Sequence, residues 1–65
     1  MSDEKARDEY QKLILENLVE VLGSALDEIT AGRLPRVTYI THVCLEDARD
    51  ELRTDIKVID QALVQ

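Results

Sequence analysis

Residues 31–43 read AGRLPRVTYITHV, and the way this stretch folds decides the shape of the chain. On propensity alone RVTYIT resembles a β-strand, because Val37, Thr38, Ile40 and Thr41 are β-branched and Tyr39 is aromatic. The spacing says otherwise. Val37, Ile40, Cys44, Ala48, Leu52, Ile56, Ile59 and Leu63 follow one another in steps of three and four, which is the period of a helix and not of a strand. Pro35 fits at the first turn of such a helix, where its missing N–H leaves nothing unpaired. GRLP is therefore read as the loop. A second reading places Thr38 or Thr41 as the N-cap, with RVTYI extended.

Working outward, the segment before the loop is also helical. Ser2 or Asp3 can cap it, and Asp3 and Glu4 suit the positive end of the helix dipole. Only Gly23 interrupts it; a mid-helix Gly costs about 1 kcal/mol against Ala and can admit a second backbone closely. Gly32 suits the residue just past the C-terminus, and Pro35 follows as a stop. Leu15, Leu18, Leu22, Ala25 and Ile29 form the expected inward line. Tyr10, Ile14, Val19, Val21 and Leu26 widen it to roughly half the cylinder, while Leu13 falls outside. The expected fold is all-α: one domain over 1–65, with a helix about 3–31, a loop about 32–35 and a helix about 36–63, forming an antiparallel two-helix hairpin. One facing helix cannot cover half a cylinder. The hairpin is therefore expected to pair into a homodimeric four-helix bundle.

Composition narrows the function classes. A 65-residue chain is marginal as a monomer unless something staples it. Cys44 is the only cysteine, which excludes an internal disulfide, and with His42 it supplies too few ligands for a closed zinc site. The net charge of −6 argues against direct nucleic-acid binding and suits approach to a basic protein surface, or simply solubility. No signal-peptide pattern opens the chain and no apolar run is long enough for a membrane, so a cytoplasmic location is expected. No nucleophile–base set, carboxylate pair or Gly-rich phosphate loop can be assembled, so neither enzyme chemistry nor a cofactor is expected.

The remaining candidates form a contact patch at the hairpin tip. With the Val37–Leu63 line taken as the inside, Tyr39 falls on the far side, with Arg36 and Val43 one turn away and His42 at the edge. Tyr and Arg dominate interface energetics. Arg33, Arg36, Tyr39, His42 and Val43 are the candidate partner-binding residues; alternatively, Tyr39 folds over the loop, against Leu34 or the first helix of a neighbouring copy. Cys44 is expected to be a small buried hydrophobe. In LEDARDELRTD (residues 45–55), Glu46 with Arg49 and Asp50 with Arg53 are expected as supporting pairs, and Glu46, Asp47 and Asp50 as a possible face for a basic partner.

In size, acidity, two-helix plan and an exposed Tyr39 within RVTYITHV, the chain resembles the very small phage-encoded anti-activator proteins. That resemblance implies a helical dimer in the host cytoplasm. It would disable a bacterial regulator such as a quorum-sensing transcription activator by covering its DNA-binding region, and could also bind the ATPase that assembles pili. Tyr39 would be its contact. The corner ALDEITAGRLPRVTY is also similar to that of the small co-chaperones of type III secretion. Those would use the wide apolar face of the first helix to hold a needle-subunit complex, although the Gln-rich second helix common there is missing. A purely structural or regulatory dimer is the third class.

Overall fold

A computed structural model describes residues 2–64 and shows two helices, α1 (Ser2–Thr30) and α2 (Tyr39–Leu63), joined by residues 31–38. They lie side by side as a rod with extents of 48 × 14 × 12 Å. No strand occurs among the described residues, so the helical period prevails over β-propensity in RVTYIT. α1 is helical from Ser2 on, which puts Asp3 within its first turn and not at its cap. The cap position, Met1, and the side chain of Ser2 lie outside the described part.

The connection is longer than the spacing implied. α2 starts at Tyr39 and not near residue 36. Two local features hold the start back. Leu34–Val37 is a β-turn closed by the Val37 N–H on the Leu34 carbonyl at 3.1 Å, with Pro35 at its second position, where a fixed φ is favourable. Thr38 then takes an extended conformation (φ −78°, ψ 161°), and its hydroxyl oxygen accepts the Thr41 N–H at 3.2 Å. This is an N-cap, which satisfies one of the open donors of the first turn. The cap named in the second reading is therefore present, but Tyr39 and Ile40 are helical behind it.

α1 ends in a Schellman motif. The Arg33 N–H bonds the Glu28 carbonyl and the Gly32 N–H the Ile29 carbonyl, both at 3.0 Å, with Gly32 at φ +78°. An apolar contact commonly accompanies this motif. Here a two-pronged ion pair takes its place: Arg33 Nη2 donates to Glu28 Oε1 at 2.9 Å and Nε donates to Oε2.

The inward faces differ from the expected ones. On α2 the shielded positions are His42, Val43, Leu45, Arg49, Leu52, Ile56, Ile59, Asp60 and Leu63, whereas Ile40, Cys44 and Ala48 are exposed. The reason is geometric. Each step of four advances about 40° beyond a full turn. The line Ile40–Cys44–Ala48–Leu52–Ile56 is made only of such steps, so it winds about 160° around the helix and leaves its neighbour. The line Leu45–Arg49–Leu52–Ile56–Ile59–Leu63 alternates four and three and stays on one side. The same alternation on α1 shields Leu15, Val19, Leu22, Leu26 and Ile29, and leaves Leu18 exposed. Leu26, at 5% exposure, is the one buried hydrophobe among the described residues. Cys44 is exposed and not a core residue. The pairs Glu46–Arg49 and Asp50–Arg53 do not form: Glu46 approaches His42 Nε2 at 3.8 Å, and Arg49 Nε lies 3.9 Å from Asp50.

The two glycines should respond oppositely to alanine. A Cβ at Gly23 meets nothing within 4 Å, so no backbone approaches there, and Gly23→Ala should stabilise the protein by up to about 1 kcal/mol through helix propensity. Gly32→Ala should cost about 1 kcal/mol or more, because the left-handed backbone persists. Chemical-denaturation midpoints read both; a Gly23→Ala protein less stable than wild type would contradict the open space. Thr38→Ala should cost about 1 kcal/mol and Thr38→Asp nearly nothing, since Asp also caps. Equal losses in the two would place the start of α2 elsewhere.

Candidate functional site

The helix period assigns every side chain to one side of the hairpin, and an ion pair fixes the frame. Lys12 Nζ lies 2.5 Å from Asp60 Oδ1, joining α1 to α2 across their shared edge. On α1, Lys12 stands about 50° clockwise of the inward direction, viewed from the N-terminus of α1; on α2, Asp60 stands about 55° from it toward the same broad side. Lys5, Glu9, Glu16, Glu20 and Asp27 of α1 lean toward this side, as do Glu46, Asp50, Arg53 and Lys57 of α2. It is polar.

The opposite broad side is apolar. Tyr10, Ile14, Leu18, Val21 and Ala25 of α1 fall about 70–150° from the inward direction there, and so do Ile40, Cys44, Ala48, Val58 and Ala62 of α2. The exposures agree: Tyr10 64%, Val21 63% and Ile40 73%, with Ile14, Leu18 and Val58 also uncovered. A shallow apolar groove lined by Tyr10, Gln11, Ile14 and Leu15 lies along the α1 part of this side. The α2 part is broken by Glu51 and Asp55, and on α1 the charged Asp3, Arg7 and Glu28 lie on this side beyond the apolar run. Sequence reasoning found the surplus on α1 but missed Ile40, Cys44 and Ala48. The detectable signal was their unbroken spacing of four.

The tip residues divide into two groups. Tyr39 opens α2 at 80% exposure and Arg36 is exposed in the turn before it. Tyr39 therefore does not fold over Leu34, and among the described residues Arg36 has no ion-pair partner. Tyr39 stands on the polar broad side, away from the apolar one. Val43 and His42 are half-buried behind it, and His42 is turned toward Glu46. Arg33 is engaged by Glu28, whose hydrogen bonds raise the guanidinium pKa above its ordinary value. The tip thus presents Tyr39 and Arg36 outward, while Arg33 is held by Glu28 and His42 and Val43 are half-buried.

Further along α2, Asp47, Asp50, Glu51 and Thr54 line an open acidic groove, with the Thr54 hydroxyl donating to the Asp50 carbonyl at 3.2 Å. Among the described residues no group of three or more His, Cys, Asp or Glu side chains is placed to hold a metal ion, and no helix is long and apolar enough to cross a membrane. Such open surfaces suit contact with another macromolecule better than enclosure of a small substrate. Compared with known proteins, the chain matches no family model, no curated protein and no solved structure.

The Lys12–Asp60 pair has a defined pH signature. Its hydrogen bond raises the Lys12 pKa above the ordinary 10.5, against some desolvation, with the nearby Glu16 and Glu9 adding to the rise. A base whose pKa is higher in the folded state stabilises fully below its unfolded pKa and stops doing so as pH climbs through the folded one. The stability difference between wild type and Lys12→Gln should therefore stay flat from about pH 7 to about pH 9 and shrink only above 10.5. A difference already shrinking near pH 8 would rule out this pairing as the cause.

Proposed function

We propose that this protein is a small inhibitor that binds another protein through its hairpin tip and acts as a homodimeric four-helix bundle. The partner is a bacterial regulator such as a quorum-sensing transcription activator, with a pilus-assembly ATPase as a second target. A phage-encoded protein acting in the host cytoplasm fits this role. The observation that carries the reading is the display of Tyr39. An aromatic side chain at 80% exposure opens α2 on a capped, rigid helix end. The fold makes no use of it. Arg36 is exposed three residues before it, and Tyr and Arg are both residue types that often dominate interface energetics. The net charge of −6 favours approach to a basic, DNA-reading surface and disfavours DNA itself.

A second reading draws on the apolar broad side. A co-chaperone would keep Tyr10, Ile14, Leu18 and Val21 available for a secretion subunit, and would not cover them with its own copy. Sizing in solution separates the two, since the inhibitor is a stable dimer on its own.

The test of the inhibitor reading is release of a purified quorum-sensing activator from its promoter DNA, followed by gel shift, with binding to pilus-assembly ATPases measured in parallel. Wild type should displace the DNA. Tyr39→Ala should keep its helical content and thermal midpoint yet lose at least ~30-fold in inhibition, the size of a hot-spot loss. A Tyr39→Ala protein that inhibits as well as wild type would remove the tip from the interface. One that melts would make Tyr39 a structural residue.

A further inference from the structure

A protomer of this chain exposes more surface than its mass should. Its accessible area is 5224 Å², whereas a compact protein of 7.4 kDa exposes about 4,200 Å². Its radius of gyration is 14.8 Å, where about 11 Å is usual for this length. Doubling the mass removes the anomaly. A compact particle of twice the mass exposes about 7,000 Å², so two protomers of 5224 Å² that reach it bury about 3,500 Å² between them. That lies within the range of obligate homodimers, and the largest uncovered apolar area is one broad side of the hairpin.

This side also indicates how the copies meet. On α1 the run Tyr10, Ile14, Leu18, Val21 contains no charged residue, because Glu9, Glu16 and Glu20 lean to the opposite side. On α2 the corresponding run is broken midway by Glu51 and Asp55. Laying α1 of one copy on α2 of the other would press those carboxylates against leucines, which is costly without partners. Laying α1 on α1 joins apolar to apolar and leaves the carboxylates at the wet flank. Of the two ways to do that, the parallel one aligns the helix dipoles and crowds the acidic first turns, Asp3 and Glu4 of each copy. The antiparallel one opposes the dipoles and separates those turns. Its two-fold axis falls between Ile14 and Leu18, so that Tyr10 faces Val21 and Ile14 faces Leu18 across the seam, as a self-complementary contact requires.

We infer that the α1 part of the apolar broad side is covered by a second copy of this chain, α1 against α1 and antiparallel, so that the two hairpin tips point in opposite directions and the α2 part, Cys44 included, stays at the flank. The inference rests on the dimeric inhibitor reading and adds its geometry. By the Lys12–Asp60 register, Tyr39 is level with about residue 33, just past the end of α1 and some 17 residues from the axis. At about 1.5 Å per residue the two Tyr39 patches lie roughly 50 Å apart. The dimer is then a two-ended binder. Each end engages one partner molecule, and a compact two-fold partner cannot place both of its sites on one dimer unless they are separated by a similar span.

The single cysteine supplies the test. Cys44 is exposed and lies level with about residue 28 of α1. A nitroxide on Cys44 of the full chain, read by pulsed electron–electron resonance, should give a separation of roughly 35–40 Å, against about 20 Å or less if the tips lay at the same end. Sedimentation equilibrium should give twice 7.4 kDa for both labelled and unlabelled protein. Leu18→Glu should weaken the dimer at least ~100-fold, and Leu13→Glu, outside the seam, should leave it unchanged. Should Leu18→Glu fail to fold, the thermal midpoint of wild type must rise with protein concentration. A helical monomer at tens of micromolar, a concentration-independent midpoint, or a dimer with the short label distance each overturns the proposal. Tyr39→Ala separates the two readings. Lost inhibition with the dimer and label distance intact supports the seam and the tip together, whereas retained inhibition with that same distance faults the tip alone.

Discussion

Two helices packed side by side share only one line of contact, and the rest of this structure follows from that constraint. Each helix can hide about one residue in every three or four against its neighbour. The hairpin uses that line fully, with Leu15, Val19, Leu22, Leu26 and Ile29 of α1 meeting Leu45, Leu52, Ile56 and Ile59 of α2, and still brings only Leu26 to near-complete burial. A hydrophobe that remains partly wet contributes only part of the roughly 1.5–3 kcal/mol available on full burial. Local devices at the corner therefore matter more here than in a larger domain. The Gly32 Schellman motif, the Arg33–Glu28 fork, the Pro35 turn and the Thr38 cap all lie within residues 28–41, where a lone hairpin must hold its angle with little core behind it.

The hairpin is therefore two-sided, and the sides divide the functional residues between them. The polar broad side carries the Lys12–Asp60 tie and Tyr39. The apolar broad side carries Tyr10, Ile14, Leu18, Val21 and Ile40. Covering the apolar side with another surface would leave Tyr39 untouched. In the proposed function, this separation would let one short chain both assemble and bind. Had Tyr39 stood where Ile40 stands, about 100° around the helix, it would lie on the apolar side.

The class of fold was legible in the sequence because helical periodicity survives noise: Leu52, Ile56, Ile59 and Leu63 lie on both the expected and the observed inner lines. The surplus on α1 was legible for the same reason, as were the exposure of Leu13 and Tyr39 and the role of Gly32. The first half of α2 was not legible. Two lines compete there, Ile40–Cys44–Ala48 and Leu45–Arg49, and the more apolar one loses. Hydrophobicity favoured the first; the 3.5-residue mean step needed to stay against a straight neighbour favoured the second. An Arg in the inner line is tolerated because its stem packs while its head reaches the edge, although its Nε finds no acceptor. The start of α2 was misplaced for another reason. Pro35 fits both the first turn of a helix and the second position of a β-turn, and the Thr38 hydroxyl decides between them.

Charge placement completes the logic. A chain with a net charge of −6 repels its own copies at long range, and that repulsion would defeat pairing if the carboxylates lay on the meeting face. Between Tyr10 and Val21 of α1 they do not lie on it: Glu9, Glu16 and Glu20 lean toward the Lys12 side, while Asp3, Arg7 and Glu28 reach this side only beyond that run. Long-range repulsion decays within about 8–10 Å at ordinary ionic strength, whereas burial of apolar area acts only on contact and is not screened. In the proposed dimer the acidity would therefore set a barrier to haphazard association without removing the stability of one well-matched seam. The same charges, displayed on the flanks and along α2, remain available to draw the molecule toward a basic partner.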